Sequence, residues 1–182
     1  MKGNAINPSD FFEALSRTAA TVSVVTTDGP FGRAGLTVSA MCSVSASPPS
    51  VLVCINEESA VCDIIRRNEV MCVNVLRAEQ ANISDAFSGR SNDLYKNPFE
   101  STEWETTVTG APLMRSALLS LDCRIKNKLR HGTHFIMVGE VEDLKLNQSG
   151  PPLVYRARNY ERLAESKSLS LEDMEYSWER YT

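Results

Sequence analysis

Two histidines in 182 residues leave little room for chemistry built on imidazole. The five cysteines (Cys42, Cys54, Cys62, Cys72, Cys123) are odd in number, scattered, and include no C-x-x-C pair. Each lies in an apolar run, so they read as buried free thiols of a reducing compartment rather than as a zinc centre or a disulfide framework. No stretch approaches the ~18 apolar residues of a membrane helix. The opening MKGNAINPSDFF has no apolar signal core, so a cytoplasmic protein without membrane contact is expected. With a net charge of −4, the chain lacks the basic excess of a nucleic-acid binder. The local cations Arg124, Lys126, Lys128 and Arg130 read either as a solvated strand edge and turn or as a steering patch for a nucleotide. No G-x-S-x-G, Walker loop, H-E-x-x-H or G-x-G-x-x-G occurs. Reactive chemistry, if any, is therefore expected to belong to a bound organic cofactor that the protein orients.

The most informative stretch is GLTVSAMCSVSASPPSVLVCINEES, residues 35–59. From Leu36 to Ser47 the even positions (Leu36, Val38, Ala40, Cys42, Val44, Ala46) are small and apolar. The odd ones are Thr37, Ser39, Met41, Ser43, Ser45 and Ser47. A period of two puts these sets on opposite faces of a strand, one packed and one a comb of hydroxyls. Pro48-Pro49 ends the strand, the doubly apolar VLVCIN follows, and Ser59 stands where a helix should start. A polar comb beside a helix N-terminus, with free N–H groups and partial positive charge, suits a flat hydrogen-bonding ligand with a phosphate tail. Phe87-Ser88-Gly89-Arg90 at a helix end offers a second close backbone approach and a cation.

Elsewhere, Asn7 and Pro8 signal a helix start, and Phe11, Phe12 and Leu15 form an apolar stripe assigned to the core. Strands are expected at 21–27, 36–47, 51–56, 70–76, 119–126 and 134–146, the last with a bulge at Gly139. Short helices are expected after Ser59 and over 78–88, and the polar stretch 90–110 reads as a surface excursion. In LSLDCRIK the alternation sets Leu119, Leu121, Cys123 and Ile125 against Ser120, Asp122, Arg124 and Lys126, implying one wet face. Strands outnumber helices and lie close in sequence, so an all-β, mainly antiparallel barrel with peripheral short helices is expected. One domain should span 1–163. Residues 164–182 form an extension in which Leu171, Met174 and Trp178 fall at helical spacing, read as a short docked helix.

GLTVSAMCSVSASPPSVLVCIN, NEESA, VNVL, FSGR, HGTHFIMVGEVEDL and PPLVYRARNYERL, in this order over residues 10–163, resemble the short-chain flavin reductases, the reductase components of two-component flavin-dependent monooxygenases. The resemblance implies an FMN-binding type split β-barrel, usually a homodimer, that uses NADH or NADPH to reduce FMN or FAD and passes the reduced flavin to a separate oxygenase. Carried over by position, it implies flavin contacts at Arg33, Ala34, Gly35, Leu36, Thr37, Ser39 and Ala40, and at Cys54, Ile55 and Asn56. It puts the phosphate at Ser59, Ala60, Phe87, Ser88 and Gly89. His134 is implied as the catalytic residue, placing the nicotinamide nucleotide together with Tyr155, Arg156 and Arg158. Hydride transfer would then need the two rings stacked roughly 3–3.5 Å apart. The chain carries Gly132-Thr133-His134 where the family commonly has Gly-Asp-His, which changes the partner open to the His134 ring. A flavoprotein that keeps its FMN and reduces another acceptor, or a non-catalytic flavin- or haem-binding barrel, would share these residues.

Overall fold

Alternating and doubly apolar runs become strands, and every strand pair among the described residues is antiparallel. The computed structural model describes residues 6–89, 97–147 and 150–163. In chain order the elements are α1 (Pro8–Ser16), β1 (Ala20–Thr21), β2 (Ser23–Thr27), β3 (Ala34–Val38), β4 (Met41–Ala46), β5 (Pro49–Asn56), α2 (Ala60–Asn68), β6 (Val70–Val75), α3 (Ala81–Phe87), β7 (Trp104–Thr106), β8 (Pro112–Met114), β9 (Leu119–His131), β10 (His134–Leu146), β11 (Leu153–Arg156) and β12 (Asn159–Arg162). A 3₁₀ turn, Pro98–Ser101, precedes β7.

Seven strands form the main sheet in the order β3-β2-β6-β9-β10-β5-β4. Its two edges, β3 and β4, are consecutive in the chain and meet at the Ser39-Ala40 corner, so the sheet curls almost into a ring. Cys54 N–H donates to the Ala40 carbonyl at 3.0 Å across that corner. This is the split barrel expected from the sequence, left open rather than closed by a continuous ladder. A three-stranded sheet, β1-β11-β12, and the β7-β8 hairpin pack around it.

Two apolar clusters hold the fold. Inside the barrel, Val25, Val53, Ile55, Met71, Val73 and Met137 pack against Cys62 and Ile65 of α2. On the other side of β2, Val22, Val24, Leu76, Ile83, Phe87, Met114 and Leu153 join β2, α3 and β11. Gly139 sits at a register shift of the long β9–β10 hairpin, as its place in the sequence suggested. A Cβ there would meet Met71 Cε at 2.6 Å and Cys123 Cβ at 2.8 Å, so the strand crosses too closely for a larger residue.

Several expectations are corrected. The 36–47 comb is two strands, not one. β4 is exposed over Cys42–Ala46 on both its faces, so Val44 and Ala46 do not pack and the hydroxyls of Ser43 and Ser45 front no ligand cleft. The cause is what covers each edge: β3 and β4 both end the sheet, but α2 and α3 pack on β3. In α1, Asn7 accepts from Ser9 N–H as a cap should, yet no residue of the helix is buried. Phe11 and Phe12 are 49% and 64% exposed, outside the core to which their spacing assigned them. The supposed wet face of β9 is dry at Ser120 and Asp122, both fully buried under the 107–114 segment. Thr109 donates to Asp122 through both its N–H (2.8 Å) and its hydroxyl (2.5 Å). Asn74 Oδ1 accepts from Ser120 Oγ and Met114 N–H, both at 2.8 Å. Bonds of this kind make a buried polar residue tolerable. They also show what the described part of the surface excursion covers: Phe99 and Trp104 pack on Phe87. Of the cysteines, Cys62, Cys72 and Cys123 are buried, Cys54 is half-buried and Cys42 is exposed. The amphipathic reading of 164–182 lies outside the described residues.

Candidate active site

A cavity of ≈ 650 Å³ opens where the barrel, α3 and the three-stranded sheet come together. One wall is the whole end of β3 and its corner, Gly35 to Ser39. A second is the start of α2, Ser59, Ala60 and Val61. The floor is α3 and its exit, Ser84 and Ala86 to Gly89. Tyr155 and Tyr160 close the far side. The volume lies in the range of sites that enclose a small organic molecule.

Local sequence explains each wall. Gly35 lets β3 approach α3: a Cβ there would lie 2.8 Å from Phe87 Cε1. Thr37 Oγ1 donates to the Ser84 carbonyl at 2.7 Å and binds the strand to the helix. Ser59 stands at the N-cap of α2, but its side chain makes no capping bond, which leaves its hydroxyl for the cavity. Gly89 takes φ +70 as α3 ends, the left-handed conformation that glycine adopts without strain. Apolar side chains (Val22, Val61, Phe87) fill the spaces between these polar groups.

Of the residues singled out in the sequence, Gly35, Leu36, Thr37, Ser39, Ser59, Ala60, Phe87, Ser88, Gly89 and Tyr155 line this cavity. The others do not. Ala34 and Ile55 are buried in the fold. Arg33 lies beyond the cavity's edge with its guanidinium 4.3 Å from the centre of the Phe99 ring. Ala40 forms the barrel corner, and Asn56 uses its side-chain oxygen to accept from Glu58 N–H. Arg90 lies outside the described residues.

His134 is paired with Asn56 across the β10–β5 ladder, and Ile136 with Cys54. Residues directly opposite each other share a face, and this one is the outer, half-exposed face of the barrel. Burial, and then the neighbouring Cys42, pushes the Cys54 thiol up. The imidazole Nδ1 lies 2.9 Å from Thr133 Oγ1, so the threonine of Gly132-Thr133-His134 supplies the ring's partner. Nearby, Arg130 binds Glu57 at 2.6 and 2.8 Å and holds that carboxyl below its usual range.

The arginine fork is not formed. Ala157 and Arg158 both have positive φ, which makes them the turn between β11 and β12 rather than extended strand. Arg156 pairs with Glu161 at 2.9 and 3.0 Å, and Arg158 with Glu13 at 3.6 Å. The Arg124–Arg130 patch is also neutralised: Arg124 meets Glu142, Lys126 meets Glu140, Lys128 meets Glu69 and Arg130 meets Glu57. Ser84, Tyr160 and Pro98 line the cavity without having been singled out as site residues. A serine between the apolar Ile83 and Phe87 of a short helix was a usable signal for Ser84. Pro98 carried none.

Residues 15–164 match the flavin reductase like domain family. FMN reductase (NADH) RutF of Pseudomonas syringae pv. syringae is 42% identical over 159 residues, 87% of this chain and 88% of that protein. The protein of that name from Escherichia coli O6:K15:H31 is 39% identical over 160 residues, 88% of this chain and 96% of its own length. Among solved structures, flavin reductase PheA2 superposes with a TM-score of 0.80 at 29% identity, covering 88% of this chain and all of that one. BorF, the flavin reductase component of a bacterial two-component tryptophan halogenase, gives 0.79 at 27% identity with the same coverage. On these matches, and on the split barrel that carries the cavity, the chain belongs to the flavin reductase like domain family.

Proposed function

We propose that this protein catalyses the NADH-dependent reduction of FMN and releases the reduced flavin to a separate oxygenase. The observation that carries the reading is the convergence of Gly35–Ser39, the Ser59 helix start and Phe87–Gly89 on one cavity. The RutF relatives are named as NADH-dependent FMN reductases, and BorF as one component of a two-component system. The fit is chemical as well as volumetric. A phosphate would meet the Ser59 hydroxyl and the unpaired N–H groups of the first turn of α2. The ring would lie along the backbone of Gly35–Ser39, beside the Phe87 ring that the missing Cβ of Gly35 admits.

A flavin held by Gly35–Ser39, Ser59 and Phe87–Gly89 would supply the redox chemistry, as the acceptor of the two electrons of NADH. The chain's own residues bind and orient. Thr37 commits its hydroxyl proton to Ser84, so it stiffens the wall rather than donating to a ligand. Val22, Val61 and Phe87 exclude water from the ring's surroundings. Tyr155 offers a ring on the side away from β3, suited to the nicotinamide.

The molecule works as a homodimer in this reading. The outer face of the barrel carries Cys42, Leu52, Cys54, Leu129 and Ile136, aligned by the β9–β10–β5–β4 register. Val44 on the same edge strand is 50% exposed and Leu129 61%. A second copy would cover this face, and His134 would act on the nucleotide from the subunit boundary. The unpaired thiols suit a reducing cytoplasm.

Steady-state assays following nucleotide absorbance, with FMN or FAD and NADH or NADPH, test the reaction. Turnover with NADH and FMN is expected, and failure of all four combinations overturns the reading. Sedimentation of Val44→Lys tests the dimer: a dimeric parent and a largely monomeric variant are expected.

A further inference from the structure

We infer that Tyr160 is a positioning residue, and that its hydroxyl holds α3 where the flavin's phosphate end needs it; this rests on the flavin reading above. The seven-residue α3 is far below the length at which a helix is stable alone. Its N-cap, Gln80, makes no capping bond with its side chain. The place of α3 is therefore set by what it is tied to.

Besides the Phe99 and Trp104 rings packed on Phe87, three ties reach it from β3 and β12. From β3 come the Thr37 bond to the Ser84 carbonyl and the close approach of Gly35 to Phe87. From β12 comes Tyr160, whose Oη lies 2.9 Å from Ser84 Oγ and 2.8 Å from Asp85 Oδ1. A phenol has one proton and a carboxylate can only accept. The single Tyr160 proton therefore goes to the Asp85 carboxylate, with the fully buried Ser84 Oγ as the alternative acceptor beside it. A bond to an ionised acceptor is roughly twice as strong as a neutral one. It clamps the helix at the residue from which Ala86, Phe87, Ser88 and Gly89 follow within a single turn, and all four line the cavity.

The ring of Tyr160 has separate support. It stacks edge-on against Tyr155 at 5.5 Å between centroids and faces the cavity itself. Replacing tyrosine by phenylalanine keeps this stack and removes only the tie to α3. The loss should fall on flavin binding, through Phe87–Gly89, and leave the nucleotide side almost unchanged.

The test is FMN titration by flavin fluorescence, together with the NADH KM, on the full chain and on Tyr160→Phe, Asp85→Asn, Asp85→Ala and Tyr160→Phe/Asp85→Ala. Losing the hydroxyl's contacts to Asp85 and Ser84 should weaken FMN about 3- to 10-fold in Tyr160→Phe, with the NADH KM moving less than about twofold. Asp85→Ala, which removes the Asp85 contact alone, should lose as much or less. Asp85→Asn, which keeps an acceptor, should lose less. The double variant should be no worse than Tyr160→Phe, which already removes the bond to Asp85. An FMN affinity unchanged in Tyr160→Phe and Asp85→Ala overturns the positioning role, and so do losses that add in the double variant. If Tyr160→Phe fails to fold, the Asp85→Asn and Asp85→Ala pair decides by the same criterion. A parent chain that binds no FMN sinks the flavin reading and this inference with it.

Discussion

The two halves of the hydroxyl stripe began as one pattern and ended in different places. Thr37 and Ser39 stand at a cavity wall; Ser43 and Ser45 stand on an exposed edge. Composition does not separate them, because the alternation of small apolar and hydroxyl residues is as regular after Ala40 as before it. The neighbours do. Both strands are sheet edges with a partner on one side, but β3 is covered by α3 and by the start of α2. A polar stripe becomes a binding surface when other elements enclose it, and enclosure is a property of topology.

The sharpest way to break the contrast is at Gly35. Its Cβ would press on the buried ring of Phe87, so Gly35→Val should cost about 1–3 kcal/mol through overpacking. It should also abolish measurable FMN binding, checked by thermal melts and fluorescence titration. A smaller effect is expected at Ser59. Ser59→Asp sets a carboxylate against the phosphate and should weaken FMN on the order of tenfold, about 1.4 kcal/mol. Riboflavin, which has no phosphate, serves as the control and should bind the variant as it binds the parent. Equal losses for both ligands would remove Ser59 from the phosphate site. The smallest effect belongs to the other half of the stripe. Ser43→Ala and Ser45→Ala should change FMN affinity less than about twofold. Ser45 Oγ accepts from Ser47 N–H within its own turn, so any loss there should appear in the melting temperature instead.

The barrel was legible because its signals are local and strong. VLVCIN and VMCVNVL are apolar on both faces, and as β5 and β6 they are paired on both edges within the main sheet. Asn7-Pro8 marked a helix start that the Asn7 side chain does cap. What the pattern could not supply was the identity of the cover. Ser120 and Asp122 look like a wet face until Thr109 and Asn74 are brought over them from distant parts of the chain. Phe11 and Phe12 carry a core signature on a helix that the described residues leave uncovered. The arginine pair failed for a different reason: two residues apart point together only on extended chain, and the left-handed Ala157-Arg158 turn breaks that premise. For the site, the backbone-rich segments around Gly35, Ser59 and Gly89 were readable because glycine and cap chemistry are encoded residue by residue. Tyr160 and Ser84 were harder, since their importance lies in a bond spanning 76 positions.

The carboxylates beside Arg124, Lys126, Lys128 and Arg130 have a kinetic corollary. With those cations matched and the whole chain carrying −4, long-range attraction offers FMN and NADH no guided approach. Encounter should proceed at the ordinary unassisted rate of about 10⁵–10⁷ M⁻¹s⁻¹. Added salt, which slows electrostatically guided enzymes steeply, should leave kcat/KM here level or slightly higher.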